Sequence, residues 1–116
     1  MNADAMAQPE EAFGLYHCDI PEYPDVWVRF KTTGYPFKLR QMFNDAKDDD
    51  RKTMLLILEH VEAWSVVDAE GAVMPPPGEC IAQPERLDDI EDALLYWWVR
   101  VFYDHWRVKL ILPRKN

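Results

Sequence analysis

The feature that most constrains the fold is a long segment near the C-terminus that is apolar on almost every side of a helix. It runs from residue 84 or 87 to about residue 106, and carboxylates at its start suit the positive end of a helix dipole. At about 100° per residue, only one narrow stripe is polar, formed by Asp89, Ala93, Tyr96, Arg100 and Asp104. Such a helix either runs through the middle of the fold or presents one flank to another chain.

The aromatic side chains of this segment leave two interpretations open. Each of them alone is well explained by packing in a core, but as a set they exceed what one small core needs. We expect Trp97 and Val101 to face the core. The other flank is predicted to contact a client protein or a second copy of the chain, through Trp98, Phe102, Trp106, Leu95 and Val99.

Length and composition indicate one globular domain. The chain has 116 residues, of which 48% are hydrophobic and five are Trp. Residues 1–14 lack a clear apolar period and are predicted to be a flexible lead-in, which leaves residues 15–116 for the domain. The longest apolar run, residues 93–103, is too short to cross a membrane.

The net negative charge of the chain disfavours some classes of binding partner. A net charge of -8 disfavours direct contact with nucleic-acid phosphates and with anionic membranes. The acids are concentrated in residues 45–50 and 85–92, whereas residues 107–116 hold four cations and no acid. This basic tail is expected to pack on its own protein or on a neighbouring copy. Because Cys18 and Cys80 show no paired spacing and no signal segment opens the chain, we expect a cytoplasmic location.

The remaining elements are predicted from periodicity and turn residues. Residues 25–32 alternate as a half-buried strand, and residues 36–46 read as a short amphipathic helix. A stronger helix follows three Asp residues and is predicted to end at Trp64. Residues 66–73 form a candidate small hairpin, three prolines exclude regular structure until about Glu79, and residues 108–112 suit an edge strand or an extended arm. The predicted fold is mainly α, an α+β domain with minor β and about three helices.

The sequence offers few candidates for catalytic or metal-binding residues. His17, Cys18, Cys80, His60 and His105 lack the spacing of a zinc site and are more simply surface or core residues. Ser65 is the only serine and has no nucleophile-elbow context, so its expected role is to cap a helix or begin the hairpin. Asp88 and Asp92 lie one helical turn apart, which is typical of dipole partners more than of a catalytic pair. We predict no catalytic residue, no metal and no cofactor.

One sequence segment resembles a known protein family. Residues 64–75 read Trp-Ser-Val-Val-Asp-Ala-Glu-Gly-Ala-Val-Met-Pro, after an acid-initiated helix and a Trp-Val-Arg strand at 27–29. Over residues 25–105 the chain resembles the tail assembly chaperones of long-tailed bacteriophages and prophages. The resemblance implies a small acidic, non-catalytic protein of the bacterial cytoplasm. It would bind the tape measure protein and keep it soluble while the tail tube assembles. The pair Trp97-Trp98 and the triple proline are departures, since the family does not require them.

The family resemblance also implies a second gene product. In this family an extended form is commonly made by ribosomal slippage near the end of the short reading frame. The last residues, Arg114, Lys115 and Asn116, can be encoded so that the slippery heptamer A-AAA-AAC spans them. We therefore expect a longer product that contains this chain as its chaperone domain.

Two other functions fit the same sequence. The acidic segments 45–50 and 85–92 suit an inhibitor that mimics phosphates and blocks a nucleic-acid-binding protein. A small structural subunit of the phage particle is the third possibility. Salt dependence separates the first two, because a phosphate mimic should bind with a steep salt dependence and aromatic contacts should survive high salt.

Overall fold

The computed structural model describes residues 13–111, with side chains described as far as Arg107. Its strands are β1 (Leu15–His17), β2 (Trp27–Phe30) and β3 (Val61–Trp64). Its helices are α1 (Lys38–Asp45), α2 (Asp50–Leu58), α3 (Pro77–Ala82) and α4 (Asp92–Ile111), with a 3₁₀ helix (Pro84–Asp89) before α4. Within the described residues the fold is α+β, and its five helical segments exceed the predicted three.

The three strands form one antiparallel sheet in the order β1-β2-β3. The predicted strand is confirmed as the central strand β2, and its alternation places Val28 and Phe30 in the core. Ser65 joins the ends of β2 and β3, because its hydroxyl accepts from the Trp27 amide at 2.9 Å and donates to the Asp25 carbonyl at 3.0 Å. Ser65 therefore links two chain segments and caps no helix.

The predicted helix up to Trp64 is wrong beyond residue 58. Asp49 caps the start of α2, as its carboxylate accepts from the Lys52 amide, but the helix ends at Leu58. Val61 and Trp64 then belong to β3, where Val61 pairs with Phe30 and Trp64 pairs with Val28. The spacing of Val61 and Trp64 also fits a helix, so periodicity alone did not separate the two structures.

The short helix before α2 is confirmed. Leu39, Phe43 and Ala46 are buried at helical spacing, and α1 begins two residues after Pro36. Met42, predicted on the same apolar face, is instead exposed at its edge.

The segment after β3 forms only part of the predicted hairpin. It is reduced to one bridge, between Val67 and Val73, around a turn in which Gly71 has a φ of 88°. The prediction that three prolines exclude regular structure until about Glu79 is wrong, because α3 begins at Pro77. Proline is tolerated in a first helical turn, where its missing amide hydrogen has no intrahelical partner.

The last helix differs from its prediction at both ends. The first part of the predicted segment is the 3₁₀ helix, and α4 begins only at Asp92. The expected strand or arm over residues 108–112 is wrong as far as Ile111, because α4 continues to that residue. Within the described residues, no helix is both long and apolar enough to cross a membrane.

Gly14, predicted to belong to the N-terminal lead-in, packs against the sheet. Residues 1–12 lie outside the described part, but Gly14 is buried and its carbonyl accepts from the Phe30 amide at 2.9 Å. A Cβ at Gly14 would lie 2.7 Å from the Phe30 carbonyl oxygen, and the φ of Gly14 is 97°. Glycine at this position thus lets β1 reach the edge of β2.

Candidate protein-binding surface

Helix α4 has one buried side and one partly exposed side. The side toward the sheet is buried and includes Leu94, Trp97, Trp98, Val101, Phe102 and His105. The predicted core role of Trp97 and Val101 is therefore confirmed. The remaining candidates divide between the core and the surface.

Two of the five predicted partner residues lie in the core. Trp98 is 1% exposed and packs edge-on against Trp64, with 5.5 Å between ring centroids. Phe102 is 0% exposed and lies between the rings of Phe30 at 5.3 Å and Phe43 at 5.6 Å. The expectation that these two side chains lie on an open flank is wrong, because β3 and α1 cover it.

The other three predicted residues are half-buried on the side of α4 that faces away from the sheet. They share it with two residues that the sequence analysis missed as contacts, Tyr96, 74% exposed, and Tyr103, 40% exposed. We name this surface the α4 outer face: Leu95, Tyr96, Val99, Tyr103 and Trp106. At 3.6 residues per turn they fall within an arc of about 120°. The sequence analysis grouped Tyr96 with the polar stripe. Its place on this surface is recognised from the exposure of its ring in the structure.

Two neighbouring helices extend the α4 outer face. Met54 of α2 lines one shallow depression with Leu95, Tyr96 and Val99. Arg40 of α1 lines a second depression with Tyr103 and Trp106. Trp106 is supported from below by Phe43, with 5.1 Å between ring centroids. The result is an apolar and aromatic surface about as long as three helical turns.

Carboxylates border the N-terminal end of this surface. Asp50 and Asp92 line the depression that contains Met54, and Asp88 lines the adjoining one with them. The acidic segments 45–50 and 85–92, separate in sequence, therefore meet there. Arg51 holds them together, since its guanidinium donates to Asp88 and, at 2.6 Å, to the Pro84 carbonyl.

The segment 64–75, on which the family resemblance rests, forms a closed loop in the structure. The Trp64 indole N–H donates to the Pro75 carbonyl at 2.9 Å, which closes the segment into a loop. Inside it, the Asp68 carboxylate accepts from the amides of Glu70 and Ala72, both at 2.9 Å. These residues position the chain between β3 and α3 and lie apart from the α4 outer face.

His60, His105 and both thiols are at least partly buried among packed side chains. His105 is fully buried, with Nδ1 3.1 Å from the Tyr16 hydroxyl and Nε2 3.2 Å from the Lys31 carbonyl oxygen. Burial raises the pKa of the Cys80 thiol and of the Cys18 thiol, which makes both thiolates scarcer at neutral pH. Among residues 13–111, no group of His, Cys, Asp or Glu is arranged to hold a metal ion.

Comparison of the chain with known proteins finds no relative. No protein-family model matches the chain, and no curated protein and no solved structure matches it at a significant level.

Proposed function

We propose that this chain is a non-catalytic tail assembly chaperone that acts in the bacterial cytoplasm. Its client is the tape measure protein of a long-tailed phage or prophage, which it keeps soluble while the tail tube assembles. The observation that carries the proposal is the α4 outer face, a row in which the exposed rings of Tyr96 and Tyr103 stand beside three half-buried apolar side chains. Such a row fits the apolar stripe of an amphipathic helix.

Two further features support a helical client. The row follows one helix, so anchors of a client at helical spacing can contact it over several turns. Asp50, Asp88 and Asp92 at one end favour a client helix that carries Lys or Arg beside its apolar stripe. Tyr and Trp are also well suited to transient contacts, because they bury large areas with few rotatable bonds.

Co-expression with the client tests the proposal. We expect the coding DNA to be followed by a gene for a long, helical, tape-measure-like protein, and that protein to stay soluble only when this chain is present. Tyr96→Glu places a charge at the most exposed ring of the surface and should return the client to the insoluble fraction. Val73→Glu is the matched control, because Val73 is 75% exposed and lies on the distant turn.

Three results would overturn the proposal. One is an insoluble client in the presence of the wild-type chain, and another is equal protection by the wild type and by Tyr96→Glu. The third is recovery of the chain from finished phage particles in fixed stoichiometry, which would identify a structural subunit instead. The coding DNA gives independent support if A-AAA-AAC spans the last codons.

A second function has one specific observation in its favour, the convergence of the two acidic segments. Asp50, Asp88 and Asp92 present carboxylates on one side of the molecule, as a phosphate mimic would. That inhibitor should bind a basic nucleic-acid-binding protein with an affinity that falls steeply with salt. The chaperone should retain its client at high salt, and a titration of salt against the complex separates the two functions.

A further inference from the structure

The two ends of the α4 outer face carry opposite charges. Asp50 and Asp92 line its N-terminal depression. Arg40 and Arg107 line its C-terminal one together with Asp104, which accepts from the Arg107 guanidinium at 3.1 Å, so two cations face one acid there. Asp92 and Arg107 fall within the same arc of about 120° as the apolar row. The sequence strengthens the contrast, since residues 85–92 are rich in acids and residues 107–116 contain none.

This arrangement is self-complementary. If a second α4 lies antiparallel across the first, with the two-fold axis near Val99, then Asp92 of each copy faces Arg107 of the other. Tyr96 then faces Tyr103 in the same way. A contact made twice by one patch is the ordinary form of a homodimer interface. In a parallel arrangement, by contrast, like charges would face each other at both ends.

We propose that a second copy of this chain occupies the α4 outer face in an antiparallel, two-fold symmetric dimer. The apolar row supplies the contact, and the two Asp92–Arg107 pairs fix its direction. A single helix pair buries less surface than the roughly 1,200 to 2,000 Å² of a stable interface, so the dimer is weak. A weak dimer leaves the face available to stronger partners.

The inference does not depend on the proposed function, since the chain alone would pair. It adds one consequence to that function: a client and a second copy compete for the same surface. The dimer would therefore protect the exposed aromatics until a client displaces one copy.

Sedimentation equilibrium of the full chain tests the dimer. Over roughly a hundredfold range of micromolar concentration, the average mass should rise from 13.7 kDa toward twice that value. Asp92→Arg alone and Arg107→Asp alone each place like charges opposite each other, and each should weaken the dimer by at least about tenfold. Lys47→Asp, an exposed charge reversal beyond α1, should leave it unchanged.

Mixing the two variants gives the decisive measurement. In the mixed dimer, the arginine introduced by Asp92→Arg in one chain faces the aspartate introduced by Arg107→Asp in the other. At the opposite end, the two native residues face each other, so both charge pairs are restored. An equimolar mixture should therefore regain the wild-type dimer affinity. A mass of one chain at every concentration would overturn the proposal. So would a mixture that associates no better than its components, or an equal effect of Lys47→Asp.

Discussion

Two buried tyrosine hydroxyls differ in whether they have a hydrogen-bond partner, and this difference predicts opposite effects on stability. The Tyr35 hydroxyl is buried and has no hydrogen-bond partner among the described residues, whereas the Tyr16 hydroxyl lies 3.1 Å from His105 Nδ1. Tyr35→Phe should therefore stabilise the protein by about 1 kcal/mol, since it removes an unsatisfied group. Tyr16→Phe should destabilise it by about 1 kcal/mol, because it leaves His105 with one partner fewer. Urea unfolding of both variants checks the pair, and two changes of the same sign would contradict the assignment.

Tyr23 links the protein's stability to alkaline pH. Its hydroxyl donates to the Glu91 carboxylate, and this hydrogen bond, more than burial, raises the pKa of Tyr23 to about 12. Below pH 10 both the folded and the unfolded chain keep the proton, so the stabilisation is complete. As pH rises through the folded pKa, the unfolded state has already lost its proton and the stabilisation disappears.

The titration of Tyr23 can be measured directly. Subtracting the phenolate absorbance of Tyr23→Phe from that of the wild type should give one transition near pH 12. A transition near the ordinary tyrosine value of about 10 would show that the Glu91 contact does not hold in solution.

The elements that were predicted correctly are those with clean periodicity and recognisable ends. Strand β2 alternates over its whole length, and α2 has an Asp cap at its first turn. Strand β1 escaped prediction because a three-residue segment carries almost no period. Strand β3 was misread because Val61 and Trp64 fit both a helix and a strand. Strand β3 covers the flank of α4 that carries Trp98, which is why Trp98 was assigned to the wrong side.

The attachment of β1 depends on Gly14. Gly14→Ala should destabilise the protein by more than about 2 kcal/mol, because the new Cβ meets the Phe30 carbonyl and the backbone has a positive φ. Gly34→Ala is the matched control, since Gly34 has a φ of 84° and a Cβ added there would meet no atom within 4 Å. It should cost only about 1 kcal/mol. Thermal unfolding of both variants measures the difference, and equal losses would place β1 away from the edge of β2.

The two tryptophans of α4 should respond differently to truncation. Trp98→Ala should cost about 3 to 5 kcal/mol, since it leaves a cavity beside Trp64. Trp106→Ala should cost clearly less, because its ring is only half-buried on the outer face. Urea unfolding gives both values. A larger loss for Trp106→Ala would mean that the two faces of α4 have been exchanged.

The whole molecule combines a rigid sheet with one helix that serves as core on one side and as surface on the other. The sequence predicted that the aromatic side chains of α4 exceed what one core needs, but Trp97, Trp98 and Phe102 are all buried in the core. Which side remains open depends on what β3 and α1 cover, and periodicity holds no information about that. The exposed Tyr96 and Tyr103 were consequently missed, whereas Leu95, Val99 and Trp106 are half-buried beside them and pack against the core.

Hydroxyl-radical footprinting of the chain with its client, at a concentration too low for self-association, shows whether the client binds the α4 outer face. Mass spectrometry would compare labelling of Tyr96, Tyr103 and Trp106 in the free chain and in the complex with the tape measure protein. We expect these three rings to lose most of their labelling, while Val73, which is 75% exposed on the turn between β3 and α3, keeps its own. Unchanged labelling of the three rings in a complex that has formed would contradict a binding role for the α4 outer face.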